Sequence, residues 1–252
     1  MDSPHATGEA EQTIRFDPVR PVFYLDPDFD LSATATSRLP VSFTASGDCT
    51  VSGRTVHILS AGKCFLTAQQ PGDATYAAAP DVDQRLSIAK ARQKISFPLP
   101  PEKVYLDPDF DPGATASSGL PITFFAWGDC SVDGSVVHIL GAGECSLTAN
   151  QPGDDNFTAA KIVDLAFQIA KADQTIEFVL LPNPASPGIY PLSANASSGL
   201  PVSFEAWGSC IVTGPYLQLV GLGACTLTAL QPGDRNFNPA PPFEQTFGVD
   251  AP

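Results

Sequence analysis

Gly143-Glu-Cys-Ser-Leu-Thr-Ala-Asn-Gln-Pro-Gly-Asp154 is the stretch of this sequence that decides the fold. Its first half alternates, so that Cys145, Leu147 and Ala149 share one face of a β-strand and mostly polar side chains occupy the other. Its second half, Gln151-Pro-Gly-Asp154, is typical of a turn. The stretch therefore predicts a half-buried strand that carries a cysteine into a protein core and ends in a turn.

This stretch occurs three times along the chain. Its cysteine is Cys64, Cys145 and Cys225 in turn, and each lies 15 residues after another cysteine. An opening motif, Gln-x-Ile-x-Phe, recurs with it at residues 12, 93 and 174. A period of about 80 residues corresponds to a small domain, not to a solenoid repeat of about 20 to 50 residues. We therefore predict a flexible N-terminal arm and three domains, with the bounds 1–11, 12–91, 92–172 and 173–252.

Each repeat contains short apolar segments separated by Gly, Pro, Asn and Asp, without helical periodicity. In the first repeat we predict strands at 13–16, 31–37, 41–46, 49–52, 55–60, 64–69 and 82–89. Such a series of short strands favours an all-β fold of three tandem immunoglobulin-like β-sandwich domains. The joints Ile88-Ala-Lys-Ala91 and Ile169-Ala-Lys-Ala172 contain no Gly/Ser tether. We therefore expect an elongated, semi-rigid rod.

The six cysteines form three matched pairs, Cys49/Cys64, Cys130/Cys145 and Cys210/Cys225. Domains of about 80 residues are marginally stable without a cross-link, so we predict one disulfide within each domain. A metal site is the alternative, but no Cys-x-x-Cys spacing occurs. Disulfides predict an extracellular location. The start, Met1-Asp-Ser-Pro-His-Ala, lacks the features of a secretory signal, so we expect a removed signal or an excised fragment.

Charge and motifs exclude several classes of function. The chain has 27 acidic and 13 basic residues and a net charge of −14. Nucleic acids and anionic lipids require a positive surface, so we expect neither as a partner. No apolar run approaches the length of a membrane span. The sequence contains no HExxH, nucleophile elbow or P-loop, which predicts that the protein is not an enzyme.

Ser117-Ser-Gly-Leu-Pro-Ile-Thr-Phe124, the stretch at 143–154 and the Ala-Lys-Ala exits resemble the bacterial immunoglobulin-like repeats of large surface and secreted proteins. Ser197-Ser-Gly-Leu-Pro-Val-Ser-Phe204 matches equally well, and the likeness extends over nearly the whole chain. The resemblance implies a sandwich fold, a bacterial cell-surface setting and an adhesive or spacer role. It implies no catalytic residues. The segment Leu25-Asp-Pro-Asp-Phe-Asp30 departs from the family pattern, which has a shorter turn there.

Two repeats contain an Asp-x-Asp-x-Asp run. The six residues are Asp26, Asp28, Asp30, Asp107, Asp109 and Asp111. Calcium favours clustered carboxylates, and a loop at a domain end could bind it and stiffen a joint. The run does not fit an EF-hand, because Ser37 and Ser118 stand where the twelfth residue should be an acid. A Pro-containing acidic turn is therefore favoured, and calcium as a cofactor is the alternative.

Two tryptophans, Trp127 and Trp207, lie three residues before a cysteine in their repeats, and Phe125 lies close by. Immunoglobulin-type sandwiches often pack a tryptophan against the disulfide, which favours a buried or inter-domain role. Strand alternation argues against it, because the inward face that begins at Val41 is out of phase with these positions. Ligand contact by Phe125, Trp127 and Trp207 is the alternative.

We predict a non-catalytic structural or adhesive array that acts as a stalk or spacer of a bacterial surface protein, with neighbouring domains as its partners. Two alternatives stay open. The chain could be a self-assembling subunit of an extracellular fibre, in which copies pair through the arm at 1–11 or the edge strand Thr13–Phe16. It could also be a glycan-binding module whose exposed Trp127 and Trp207 contact a sugar or another host-surface ligand.

Overall fold

The structure is a computed structural model that describes residues 8–181, 183 and 185–249. Every regular element of these residues is a β-strand, and each repeat forms an immunoglobulin-like β-sandwich. The predicted fold class is therefore confirmed. Part of the predicted N-terminal arm, residues 1–7, lies outside the described residues. Within the rest of the arm, Ala10 forms a parallel β-bridge with Tyr76.

The chain divides into two compact units. The first contains the residues up to 96 together with 114–122 and 150–162, and the second contains 97–113, 123–149 and the residues from 163 onward. This division passes through the second repeat. The domain bounds expected from the sequence period therefore stay a prediction.

The first repeat contains nine strands. They are β1 (Ile14–Phe16), β2 (Val22–Phe23), β3 (Phe29–Asp30), β4 (Ala33–Ala35), β5 (Ser42–Gly47), β6 (Cys49–Ser52), β7 (Thr55–Ile58), β8 (Gly62–Gln69) and β9 (Val82–Ala89). One sheet has the order β2-β9-β8-β5, a second has the order β3-β7-β6, and β1 pairs with β4. The predicted strand at 31–37 was too long, and β2 and β3 were missed. Strands of two residues in a Pro- and Asp-rich segment are too short to show alternation.

The other repeats follow the same plan. The second contains β10 (Ile95–Ser96), β11 (Lys103–Val104), β12 (Thr115–Ala116), β13 (Thr123–Gly128), β14 (Cys130–Asp133), β15 (Val136–Ile139), β16 (Gly143–Asn150) and β17 (Val163–Ala170). The third contains β18 (Ile176–Phe178), β19 (Ile189–Pro191), β20 (Ala194–Ala196), β21 (Ser203–Gly208), β22 (Cys210–Thr213), β23 (Tyr216–Leu219), β24 (Gly223–Leu230) and β25 (Phe243–Val249). Their larger sheets have the orders β11-β17-β16-β13 and β21-β24-β25.

The predicted alternation places the core correctly. On β8, Cys64, Leu66 and Ala68 are fully buried, and Phe65 on the opposite face is exposed. All three predicted disulfides are present, with Cα–Cα distances of 5.4, 5.4 and 5.7 Å. In every repeat the two cysteines lie on strands of different sheets. The disulfide therefore fastens one sheet of the sandwich to the other.

A glycine makes the corner at which the chain passes from one sheet to the other. Gly47 ends β5 with φ of 91°, and Gly128 and Gly208 occupy the same place with φ of 89° and 92°. A β-carbon on Gly47 would collide with the carbonyl oxygen of Lys63. Only glycine meets both conditions, and the corner delivers Cys49 to its partner in the other sheet.

Replacing Cys130 and Cys145 together with alanine removes the cross-link of the second repeat and leaves no free thiol. A closed loop of this length stabilises by about 3 kcal/mol in the chain-entropy model. We expect hydrogen exchange of the β16 amides to report a loss of that order. The control is Thr123→Ala, which alters an exposed side chain of β13. Unchanged protection of β16 in the double variant would contradict the prediction.

Candidate functional site

A buried pair of glutamines holds together one end of each module. Gln12 Nε2 donates hydrogen bonds to Gln70 Oε1 at 3.0 Å and to the carbonyl oxygen of Ala77 at 2.7 Å. Gln70 Nε2 donates to the carbonyl oxygen of Pro40 at 3.2 Å. The two side chains are only 3% and 4% exposed. The pair therefore ties the residues just before β1 to the loop that follows β8.

The same pair occurs in the other repeats. Its members there are Gln93 with Gln151 and Gln174 with Gln231. Both glutamines belong to motifs that recur in every repeat, but their contact was not predicted from the sequence. Two glutamines that recur at the same places in every repeat, beside apolar strands, could have indicated this contact, because a buried polar side chain requires a hydrogen-bond partner.

The loop held by this pair comprises residues 70–77 in the first repeat, with 151–158 and 231–238 as its equivalents, and is called the docking loop. Its backbone is shaped by its own side chains. Asp73 Oδ1 accepts hydrogen bonds from the amides of Thr75 at 2.8 Å and Tyr76 at 2.9 Å. Gly72 adopts φ of 81°, and a β-carbon there would collide with the carbonyl oxygen of Tyr76. Contacts within the loop therefore fix its conformation without help from another module.

The docking loop of the second repeat contacts the end of the first repeat, and the contacting residues all belong to the first unit. Asn156 accepts the amide of Ala91 on its carbonyl oxygen at 2.8 Å and the amide of Ala61 on its side-chain Oδ1 at 2.8 Å. Phe157 meets the ring of Tyr24 edge-on, with centroids 5.6 Å apart. One asparagine therefore holds both the linker and a loop of the preceding repeat.

The docking loop of the third repeat contacts the end of the second repeat in the same way, within the second unit. Asn236 accepts the amides of Ala172 and Ala142, both at 2.9 Å, on the equivalent oxygens. Phe237 meets Tyr105 edge-on, with centroids 5.5 Å apart. The joint is therefore a repeated structure built from the same residue types.

The two joints differ in charge, and one difference creates an ion pair. Arg235 forms an ion pair with Asp129 in the second joint. The equivalent residues of the first joint are Asp155 and Asp48, which are both acidic. An exposed ion pair contributes about 0–1 kcal/mol, so the second joint has a modest attraction that the first lacks.

Two aspartates have pKa values below the usual range. The pKa of Asp48 is lowered by a hydrogen bond from the Ser60 hydroxyl and then by the amide of Lys63, which donates to it at 2.9 Å. The pKa of Asp30 is lowered by the Thr55 hydroxyl and then by the Arg54 side chain. In both cases the hydrogen-bond donors stabilise the charged form of a carboxylate that joins neighbouring strands or turns.

The structure disperses the Asp-x-Asp-x-Asp runs instead of gathering them. In the first repeat Asp26 accepts the amide of Phe23, Asp28 pairs with His57, and Asp30 pairs with Arg54. In the second repeat Asp107 accepts the amide of Val104, Asp109 pairs with His138, and Asp111 accepts the amide of Gly113. Within the described residues, no group of three or more His, Cys, Asp or Glu side chains could hold a metal ion. The calcium hypothesis therefore has no ligand cluster to support it.

The aromatic candidates lie on outward faces of the larger sheets. Trp127 is 59% exposed, Trp207 is 67% exposed and Phe125 is 48% exposed. The expectation that the tryptophans pack against the disulfides was wrong, and strand alternation had indicated the correct side. The ring centroids of Phe125 and Trp127 are 6.3 Å apart. The structure thus brings two of the three candidates together on β13 and places the third alone on β21.

Comparison with known proteins assigns no family. The sequence matches no protein-family model and no curated protein. The chain is similar to the Drosophila N-cadherin EC1–4 structure, with 14% identity, 95% of this chain and 75% of that chain covered, and a TM-score of 0.30. It is also similar to Drosophila N-cadherin EC1–3 (14% identity, 84% and 89% covered, TM-score 0.29). A third similar structure is Bacteroides ovatus mixed-linkage glucan utilization locus SGBP-B with a heptasaccharide (13% identity, 95% and 71% covered, TM-score 0.23).

These TM-scores are too low to carry a functional conclusion. No helix of the described residues is long and apolar enough to cross a membrane.

Replacing Gln151 with alanine leaves the buried amide of Gln93 without its side-chain acceptor. An unsatisfied buried polar group costs about 1–3 kcal/mol, so we expect a loss of that size in the stability of the second repeat. Because the same glutamine holds the docking loop, the Ala61 amide should also exchange faster. Gln168→Ala, an exposed change on β17, is the matched control and should alter neither quantity. Equal exchange in the two variants would refute the role assigned to the pair.

Proposed function

We propose that the chain is a non-catalytic extracellular spacer, a stalk segment of a surface protein. Three modules, each with its own internal disulfide, follow one another through docked joints. The observation that carries the proposal is the repetition of one joint, with the same residue types and nearly the same distances, at both places where modules meet. The three disulfides support an oxidising, extracellular setting.

The joint restrains the linker directly. Ala91 donates its amide to Asn156 and accepts the amide of Thr158 at 2.9 Å, so both polar groups of this linker residue are bound to the next module. The linker is also short, since only Arg92 separates Ala91 from the buried Gln93. A bending motion at this place would break backbone hydrogen bonds, which favours a stiff joint.

A lysine side chain adds one further hydrogen bond to each joint. Lys90 Nζ donates to the carbonyl oxygen of Asp154 at 2.5 Å, and Lys171 Nζ donates to that of Asp234 at 2.5 Å. In each Ala-Lys-Ala exit the second alanine therefore binds the docking loop through its backbone, and the lysine binds a carbonyl oxygen of the same loop.

The self-assembling fibre has less support than the spacer. End-to-end stacking of copies through this joint would require the third repeat to receive a docking loop. The third repeat has Pro187 in place of Tyr24 and Leu222 in place of Ala61. Without the tyrosine, the edge-on aromatic contact of the other joints has no counterpart there.

Replacing Asn156 and Asn236 together with alanine removes the side-chain acceptors of both joints and leaves the backbone bonds. We expect the distribution of maximum dimensions from small-angle X-ray scattering to broaden, and the Ala61 and Ala142 amides to exchange faster. Asn195→Ala on β20 is the control, because that side chain is exposed on a strand. A native chain that is as flexible as the double variant, or that forms filaments, would overturn the spacer proposal.

A further inference from the structure

The outward face of the β11-β17-β16-β13 sheet presents two aromatic rings side by side. The planes of Phe125 and Trp127 are inclined by 31°, and their ring centroids are 6.3 Å apart. Both side chains lie on β13, which is an edge strand of its sheet. About half or more of each side chain is exposed.

Small side chains lie beside each tryptophan across the sheet. In the third repeat Trp207 is opposite Thr226, and Thr226 is opposite Thr246. The two threonine hydroxyls are 2.9 Å apart. Because threonine is too short to cover an indole ring, one face of Trp207 stays open to solvent beside a row of hydroxyl groups.

The second repeat has the same arrangement. Trp127 occupies the position of Trp207, and the residues equivalent to Thr226 and Thr246 are Ser146 and Ala166, which pair with each other. One rung along the same two strands, Thr148 donates a hydrogen bond to Asp164 at 2.5 Å. An open aromatic surface therefore again adjoins small and hydrogen-bonding side chains.

The first repeat shows that the fold does not need these rings. Ser46 stands at the tryptophan position, and the aromatic residue of that row is Phe65 on the neighbouring strand. The guanidinium of Arg85 lies 5.6 Å from the centroid of the Phe65 ring, which is 48% exposed. Because one repeat folds with a serine at the tryptophan position, the fold itself does not require a tryptophan there.

We propose that the outward faces around Phe125 and Trp127, and around Trp207, bind neutral glycans. A flat aromatic ring contacts the C–H face of a sugar, while hydroxyl and carboxylate side chains beside it bind the sugar hydroxyls. The charge of the site decides against polyanions. Asp164 adjoins the first face, Glu205 and Glu244 adjoin the second, and the net charge of the chain is −14. Sulfated or acidic polysaccharides would be repelled.

A protein ligand fits these faces less well. A stable protein interface buries about 800 Å² on each partner around a largely apolar centre. Here the rings stand directly beside hydroxyl and carboxylate groups, and Trp207 is the single aromatic residue of β21 on the second face. Such a small apolar area with close polar neighbours suits one or two sugar rings.

The proposal can be tested by the fluorescence of the protein itself. Trp127 and Trp207 are its only two tryptophans, so indole emission reports on the two proposed sites alone. The full chain is titrated with cellohexaose, xylohexaose, mannohexaose and maltohexaose, and with heparin as the polyanionic comparison. We expect at least one neutral oligosaccharide to shift the emission, and heparin to have no effect at the same concentration.

Variants then locate the binding. Isothermal titration with the responding oligosaccharide should show one binding site per chain instead of two for Trp127→Ala or Trp207→Ala, and no binding for the double variant. Phe65→Ala is the matched control and should bind as the native chain does. Circular dichroism checks that each variant is folded.

Three results would overturn the glycan sites: no emission shift with any of the four oligosaccharides at millimolar concentration, binding that persists in the double tryptophan variant, or a response to heparin alone. None of them bears on the spacer proposal, which depends on the dimensions of the chain.

Discussion

The hydrogen bond between the two buried glutamines is the interaction on which the geometry of each joint depends. An amide buried away from water must find a partner, and Gln12 and Gln70 satisfy each other together with nearby carbonyl oxygens. Because one glutamine precedes β1 and the other begins the docking loop, their bond sets where that loop lies. The position of the docking loop in each joint is therefore set by contacts within the module that carries the loop.

The disulfide and the glutamine pair divide the work of stabilising a small sandwich. The disulfide fastens the two sheets to each other, since its cysteines lie on strands of different sheets. The glutamines fasten the end of the module that carries the joint. Neither the disulfide nor the glutamine pair involves the outward face of the larger sheet, where the repeats carry Ser46, Trp127 and Trp207 at one position.

In the acidic runs, carboxylates that are close in sequence have separate partners. Asp28 and Asp30 are near neighbours in the chain, yet each carboxylate meets a different partner, His57 or Arg54, across the strand pair. A metal site would require the carboxylates to converge on one point. Here local donors satisfy each carboxylate separately, so that the run strengthens a turn and a strand edge.

Local periodicity and internal repetition were enough to predict most of the strands and the disulfide pairing, and strand alternation indicated the outward side for the tryptophans although packing against the disulfide was favoured. These features depend on residues close in sequence or on the two-residue alternation of a strand. Tertiary structure alone decided the partners of the glutamines, 58 residues apart, and the bond between Ala61 and Asn156, 95 residues apart. The local sequence pattern of one segment does not predict which distant segment it contacts. A hydrogen bond between distant segments forms only because the packing of the whole fold brings its donor and acceptor within reach.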